Sequence, residues 1–136
     1  MNDFSQHVVV VFDLKYNYNK TNAQVYEELD YIIDKISYDY LEVMGALPKI
    51  NLIGHSCGGL TNMDYAINHP KNVASLISLG TPYNGSWYDN WFVDLLGINV
   101  FDSIGGADIV DTTLMNIRKN NWNNIYSQNA HIIFLP

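Results

Sequence analysis

Short apolar runs rich in β-branched residues alternate along this chain with longer stretches of helical periodicity, and that alternation limits the fold more than any other feature. Val8 to Phe12 is an uninterrupted apolar run with polar flanks, the pattern of a strand covered on both faces. Lys49 to Ile53, Val73 to Leu79 and His131 to Leu135 read as three more strands. Between the first two, Thr21 and Gln24 have the spacing of a capping box, and Val25, Leu29, Ile32, Ile33 and Ile36 recur on one helical face. That spacing predicts an amphipathic helix of about four turns. Leu60, Met63 and Ile67 mark a second helix, which ends near His69-Pro70 because proline cannot continue it. Strands and helices in this order predict an α/β fold: a mostly parallel sheet with flanking helices, joined by right-handed crossovers. Such sheets bind ligands at the carboxyl ends of their strands, where Asp13, Ser56 and Thr81 are expected to fall.

With 136 residues, 48% of them apolar, the chain suits one domain. Seven Lys and Arg against 14 Asp and Glu give a net charge of −7, with the bases scattered, which excludes an electrostatic nucleic-acid binder. The single cysteine, Cys57, rules out an intrachain disulfide and C-x-x-C chemistry. No apolar run approaches the ~20 residues of a transmembrane helix, and the start lacks the pattern of a secretory signal. A soluble chain without cofactor or metal is expected, its compartment open.

Chemistry concentrates in Gly54-His55-Ser56-Cys57-Gly58-Gly59, which satisfies G-x-S-x-G between a strand pattern and a helix pattern. A serine in a tight strand-to-helix turn takes strained dihedrals, and side chains at Gly54 and Gly58 are expected to collide with the neighbouring strand and helix. The turn holds the Ser56 hydroxyl clear of the sheet. It also sets the Cys57 amide at a helix N-terminus, where amide and dipole together stabilise a developing oxyanion.

Two blocks carry a family resemblance. Ile50 to Leu60 resembles the "VNLIGHSMGG" turn of the α/β-hydrolase family, in particular of bacterial triacylglycerol lipases and lipase-like esterases. Leu79-Gly80-Thr81-Pro82-Tyr83-Asn84-Gly85-Ser86 resembles their "GTPHRGS" segment, at matching distance from the first block. The resemblance is firm over residues 49–86 and looser on either side. It implies that Ser56 is a nucleophile attacking ester carbonyls, activated by a histidine that a carboxylate orients, with the Cys57 amide as half of the oxyanion hole. Cys57 stands where many relatives have methionine or glutamine, which leaves a backbone contact unaffected.

The family order places the acid and then the histidine after a further strand, and the H-G oxyanion segment before the strand matched by Val8 to Phe12. None of these is assigned here, so the chain reads as the central portion of an α/β-hydrolase domain: a core of residues 7–82 and 130–136 with an insertion at 83–129. His7 and His131 are expected at amino ends of strands, His69 at the far end of its helix, and His55 as a pocket-shaping neighbour of Ser56. Asp89, Asp94, Asp102, Asp108 and Asp111 read as solvated charges of the insertion.

Within that insertion Trp87, Trp91, Phe92, Leu95 and Leu96 form a wide apolar helical face, and a further helix is expected from about Asp111, with Leu114, Ile117, Trp122, Ile125 and Tyr126 as its apolar contacts. Such a face can equally pack as ordinary core; the resemblance implies instead a lid, with Trp87, Trp91, Phe92 and Leu95 on an acyl-binding face. The partner it implies is an acyl ester or lipid, met by hydrophobic contact rather than charge. The two functions open at this level are a lipase or carboxylesterase, and a non-catalytic fragment or pseudoenzyme that lacks the acid and base.

Overall fold

The computed structural model describes residues 8–14, 21–81, 83, 115–121 and 131–135. Helix α1 (Asn22–Met44) is followed by β1 (Ile50–His55), α2 (Cys57–Asn68), β2 (Val73–Leu79) and β3 (His131–Leu135). The three strands form one parallel sheet in the order β1-β2-β3, with Leu52 opposite Leu76 and His55 opposite Leu79, and Leu79 in turn opposite Leu135. All three therefore end at one edge, and α2 runs back across the sheet to make the parallel connection that β1 and β2 require.

The capping box forms as its spacing predicts. Gln24 N donates to Thr21 Oγ1 at 3.3 Å, and Thr21 N donates to Gln24 Oε1 at 2.9 Å. Helix α1 is longer than the four turns its apolar periodicity marks, spanning 23 residues. It stops where the chain reaches Gly45, whose φ of 73° closes a left-handed cap on Leu41 O. The last turns extend past the core, leaving Tyr38, Val43 and Met44 exposed.

Leu29 and Ile33 of α1, Leu52 of β1, Met63, Tyr65 and Ala66 of α2, and Val73 and Leu76 of β2 make the main core, so both helices cover the same sheet face. Leu52 and Gly54 point into that layer, whereas Asn51, Ile53 and His55 alternate onto an exposed face. The face of β1 opposite the two helices is thus uncovered among the described residues.

Val8 to Phe12 departs from its sequence pattern more completely. It forms no strand, and Val9 and Val11 are 83% and 91% exposed. A β-branched run becomes a strand only when a neighbour completes its hydrogen-bond ladder and buries a face, and no described residue pairs with it. Asp13 is exposed on the same segment, which supplies no strand for it to end. Among the described residues no helix is long and apolar enough to cross a membrane.

Residues 115–121 are helical, and their inward face differs from the one expected. Met115 is 3% exposed and Arg118 2%, while Ile117 is 50% exposed. The inward positions are three apart, and Ile117 falls between them on the solvent side. Leu114, Trp122, Ile125 and Tyr126 lie outside the described residues, as do Trp87, Trp91, Phe92, Leu95 and Leu96 with the five aspartates of the insertion.

Candidate active site at the β1–α2 turn

Strand β1 ends at His55 and α2 begins at Cys57, leaving a single residue to turn the chain from sheet to helix. That residue, Ser56, has φ 52° and ψ −125°, and is the one non-glycine residue with positive φ among those described. Such a conformation costs about 1–3 kcal/mol and persists only where its surroundings over-determine it. Here they do. Ser56 N donates to Leu79 O at 2.9 Å, tying the turn to the end of β2, and Gly59 N donates to Ser56 O at 3.0 Å in the first turn of α2. The Ser56 side chain makes no capping bond to the helix it starts, its hydrogen bond being with the neighbouring Cys57 thiol, and the residue is half-buried.

The glycines divide their work differently from the G-x-S-x-G pattern. A Cβ on Gly54 comes within 2.7 Å of Asn62 Nδ2 and of Gly59 N and Cα, so β1 and α2 can approach only because residue 54 has no side chain. Gly58, the motif's second glycine, has nothing within 4 Å of the position a Cβ takes, and the expected collision there is absent. Gly59 is the crowded one, with Thr81 Oγ1 2.0 Å from its Cβ position and Thr81 Cβ and Cγ2 at 2.9 Å. The loop after β2 therefore presses on the first turn of α2. In sequence, the double glycine could have signalled this; the five-residue pattern does not include it.

Cys57 begins α2, where amides have no acceptor within the helix, and no acidic side chain occupies that first turn. The positive end of the helix dipole is thus unneutralised beside Ser56. Burial pushes the Cys57 thiol up from its ordinary value, with a hydrogen bond to Ser56 opposing the shift in part, so the thiol stays protonated at neutral pH.

Under the turn, Cys57, Leu60 and Met115 form a second apolar cluster on which Tyr83 packs. The Tyr83 and Ser78 hydroxyls are hydrogen-bonded, and burial raises the Tyr83 phenol pKa despite that bond. Arg118 reaches from the 115–121 helix to α2, its Nε and Nη2 donating to Asp64 Oδ1 and Oδ2 at 2.6 and 2.5 Å, and its Nη1 to Met115 Sδ at 3.6 Å. Neither Asp64 nor Arg118 stood out in the sequence, because an ion pair 54 residues apart leaves no local pattern.

No described histidine meets Ser56 as a base. His55 is exposed on the sheet face opposite α2. His69 caps the far end of α2, about 18 Å along the helix at 1.5 Å per residue. There its Nε2 is 3.2 Å from Tyr26 Oη and 3.1 Å from Asp30 Oδ1, and its ring stacks on Tyr65 at 4.5 Å. His131 opens β3 at the edge opposite the turn, and His7 lies outside the described residues. Among the described residues no three His, Cys, Asp or Glu side chains gather to hold a metal ion.

Comparison with known proteins agrees with this frame. Over 48 residues, 35% of the chain, the sequence is 48% identical to a triacylglycerol lipase of Pseudarthrobacter phenanthrenivorans and to one of Burkholderia plantarii. Over 67 residues, 49% of the chain, it is 34% identical to protein ECM18 of Saccharomyces cerevisiae. The matched stretches span only 15%, 13% and 14% of those proteins' own lengths. The alpha/beta hydrolase fold family matches residues 6–99, well over half of the sequence, and by that match the chain belongs to the alpha/beta hydrolase fold family, with distant similarity to bacterial lipases.

Proposed function

We propose that this chain carries the nucleophile-bearing part of a serine hydrolase of the lipase or carboxylesterase type. The observation that supports this most is the strained, positive-φ, half-buried Ser56 standing alone between a parallel strand and a helix N-terminus. Strain of that kind, held by a backbone bond to β2 and by close glycine contacts, is what an exposed nucleophile on a rigid turn requires. In the proposed reaction Ser56 Oγ bonds to the carbonyl carbon of an ester while its proton passes to a base. The carbonyl electron pair moves onto oxygen, where the Cys57 amide and the α2 dipole stabilise it. Collapse of that oxyanion breaks the bond to the alcohol, which takes up the proton, and water then hydrolyses the acyl-serine.

The reading assigns the acyl side of the substrate to Trp87, Trp91, Phe92 and Leu95. It is supported by Tyr83 and Met115, which flank that segment in sequence and pack with Cys57 and Leu60 beside the Ser56 turn. A second reading is a non-catalytic acyl binder or fragment, favoured by the placement of the described histidines away from the Ser56 hydroxyl. Hydrolysis of a short p-nitrophenyl ester separates the two. Turnover lost in Ser56→Ala supports the hydrolase, and absence of turnover by the unaltered chain supports the binder.

A further inference from the structure

Cys57, Leu60 and Asp64 follow one another at intervals of three and four along α2 and so share one helix face. The 115–121 helix meets that face with Met115 and Arg118. Met115 fills the space against Cys57 and Leu60, and the Arg118 guanidinium holds both oxygens of Asp64 while its Nη1 contacts the Met115 sulfur. One buried side chain thus fixes a helix distant in sequence and the methionine that backs the first residue after the strained serine.

We propose that Arg118, acting through Asp64 and Met115, is a positioning residue for the proposed acyl chemistry: it keeps the Cys57 amide and the Ser56 turn in their reactive geometry. This rests on the assignment of Ser56 and Cys57 made above. Ser56 is tied to β2 by Leu79 O, Thr81 presses on Gly59 in the first turn of α2, and Met115 packs on Cys57 and Leu60 of that same turn. A bidentate fork supplies orientation as well as attraction, which a lysine at the same place cannot reproduce in full.

The test uses the full chain and two readouts, amide hydrogen exchange and the rate of labelling by a fluorophosphonate, in Arg118→Met, Arg118→Lys and Asp64→Asn. Exchange across residues 54–62 is expected to quicken about tenfold in Arg118→Met while residues 73–79 keep their protection, since local opening need not follow global unfolding. The maximal labelling rate is expected to fall at least about tenfold with the half-saturating probe concentration changed less than about twofold, and Arg118→Lys to recover part of it. A purely structural role instead raises exchange everywhere in proportion. Uniform exchange, or none gained at 54–62, overturns the proposal, and the two milder variants decide it where Arg118→Met does not fold. If the unaltered chain takes no label, or Ser56→Ala labels equally fast, the assignment of Ser56 fails; the exchange arm still decides whether Arg118 positions the turn.

Discussion

Replacing Gly59 by alanine sets a methyl group 2.0 Å from Thr81 Oγ1 and 2.9 Å from Thr81 Cβ and Cγ2. Rotation about χ1 moves the oxygen and the methyl but not Cβ, and a β-branched residue has few rotamers to choose from. The loop after β2 or the first turn of α2 must therefore shift. Overpacking of this kind costs about 1–3 kcal/mol, of which the higher helix propensity of alanine returns at most about 1 kcal/mol. The expected net loss is about 1–2 kcal/mol, a fall in melting midpoint of roughly 3–8 °C. Gly58→Ala meets nothing within 4 Å and keeps the propensity gain, so it should be neutral or stabilising by up to about 1 kcal/mol. Gly54→Ala should cost most, because the atoms it meets at 2.7 Å include the backbone N and Cα of Gly59, which no rotamer change can clear. Thermal and urea unfolding followed by far-ultraviolet circular dichroism gives the order. Gly58→Ala as damaging as Gly59→Ala would refute the packing of Thr81 on α2 and restore the importance that the motif assigns to residue 58.

Asp64→Ala leaves Arg118 buried without its carboxylate partner and should cost about 3 kcal/mol in urea unfolding; a loss below about 1 kcal/mol means the pair is hydrated. His69→Ala removes a half-exposed contact with Asp30, a contact with Tyr26 Oη and a ring stack, so a loss of about 1–2 kcal/mol is expected, with fluorophosphonate labelling within about twofold of the parent. Labelling abolished in His69→Ala would make that histidine the base. Burial raises the Cys57 thiol from 9.0 and the Tyr26, Tyr65 and Tyr83 phenols from 10.0. The unfolded chain therefore gives up these protons first, and their contribution, fully present below about pH 9, is lost as pH rises past the ordinary values. Urea midpoints measured at about pH 8, 9.5 and 10.5 should fall in that order, and a rise would contradict the burial of these groups.

The local features of the fold were legible because their causes are local. Thr21 and Gln24 cap α1, Pro70 follows the end of α2, and β2 and β3 run over Val73–Leu79 and His131–Leu135, as their patterns predict. The Val8 to Phe12 run carries a strand pattern without forming a strand, because strand propensity states what a segment can become once paired, and the pairing is decided elsewhere. Ile117 faces solvent against its sequence pattern for a related reason. An apolar residue in a short helix faces inward only if the helix is rotated that way, and here Arg118 and Met115 set the rotation. At the site, the strained turn at Ser56 follows from one residue between strand and helix, whereas the roles of Gly59, Thr81, Asp64 and Arg118 depend on contacts between distant segments.

Peptide mapping of the chain after treatment with a fluorophosphonate tests the central claim most directly, since the adduct's position reports which hydroxyl the fold has made reactive. The account predicts one adduct, on Ser56, with none in Ser56→Ala. An adduct on another serine, or equal labelling of the heat-unfolded chain, would contradict it.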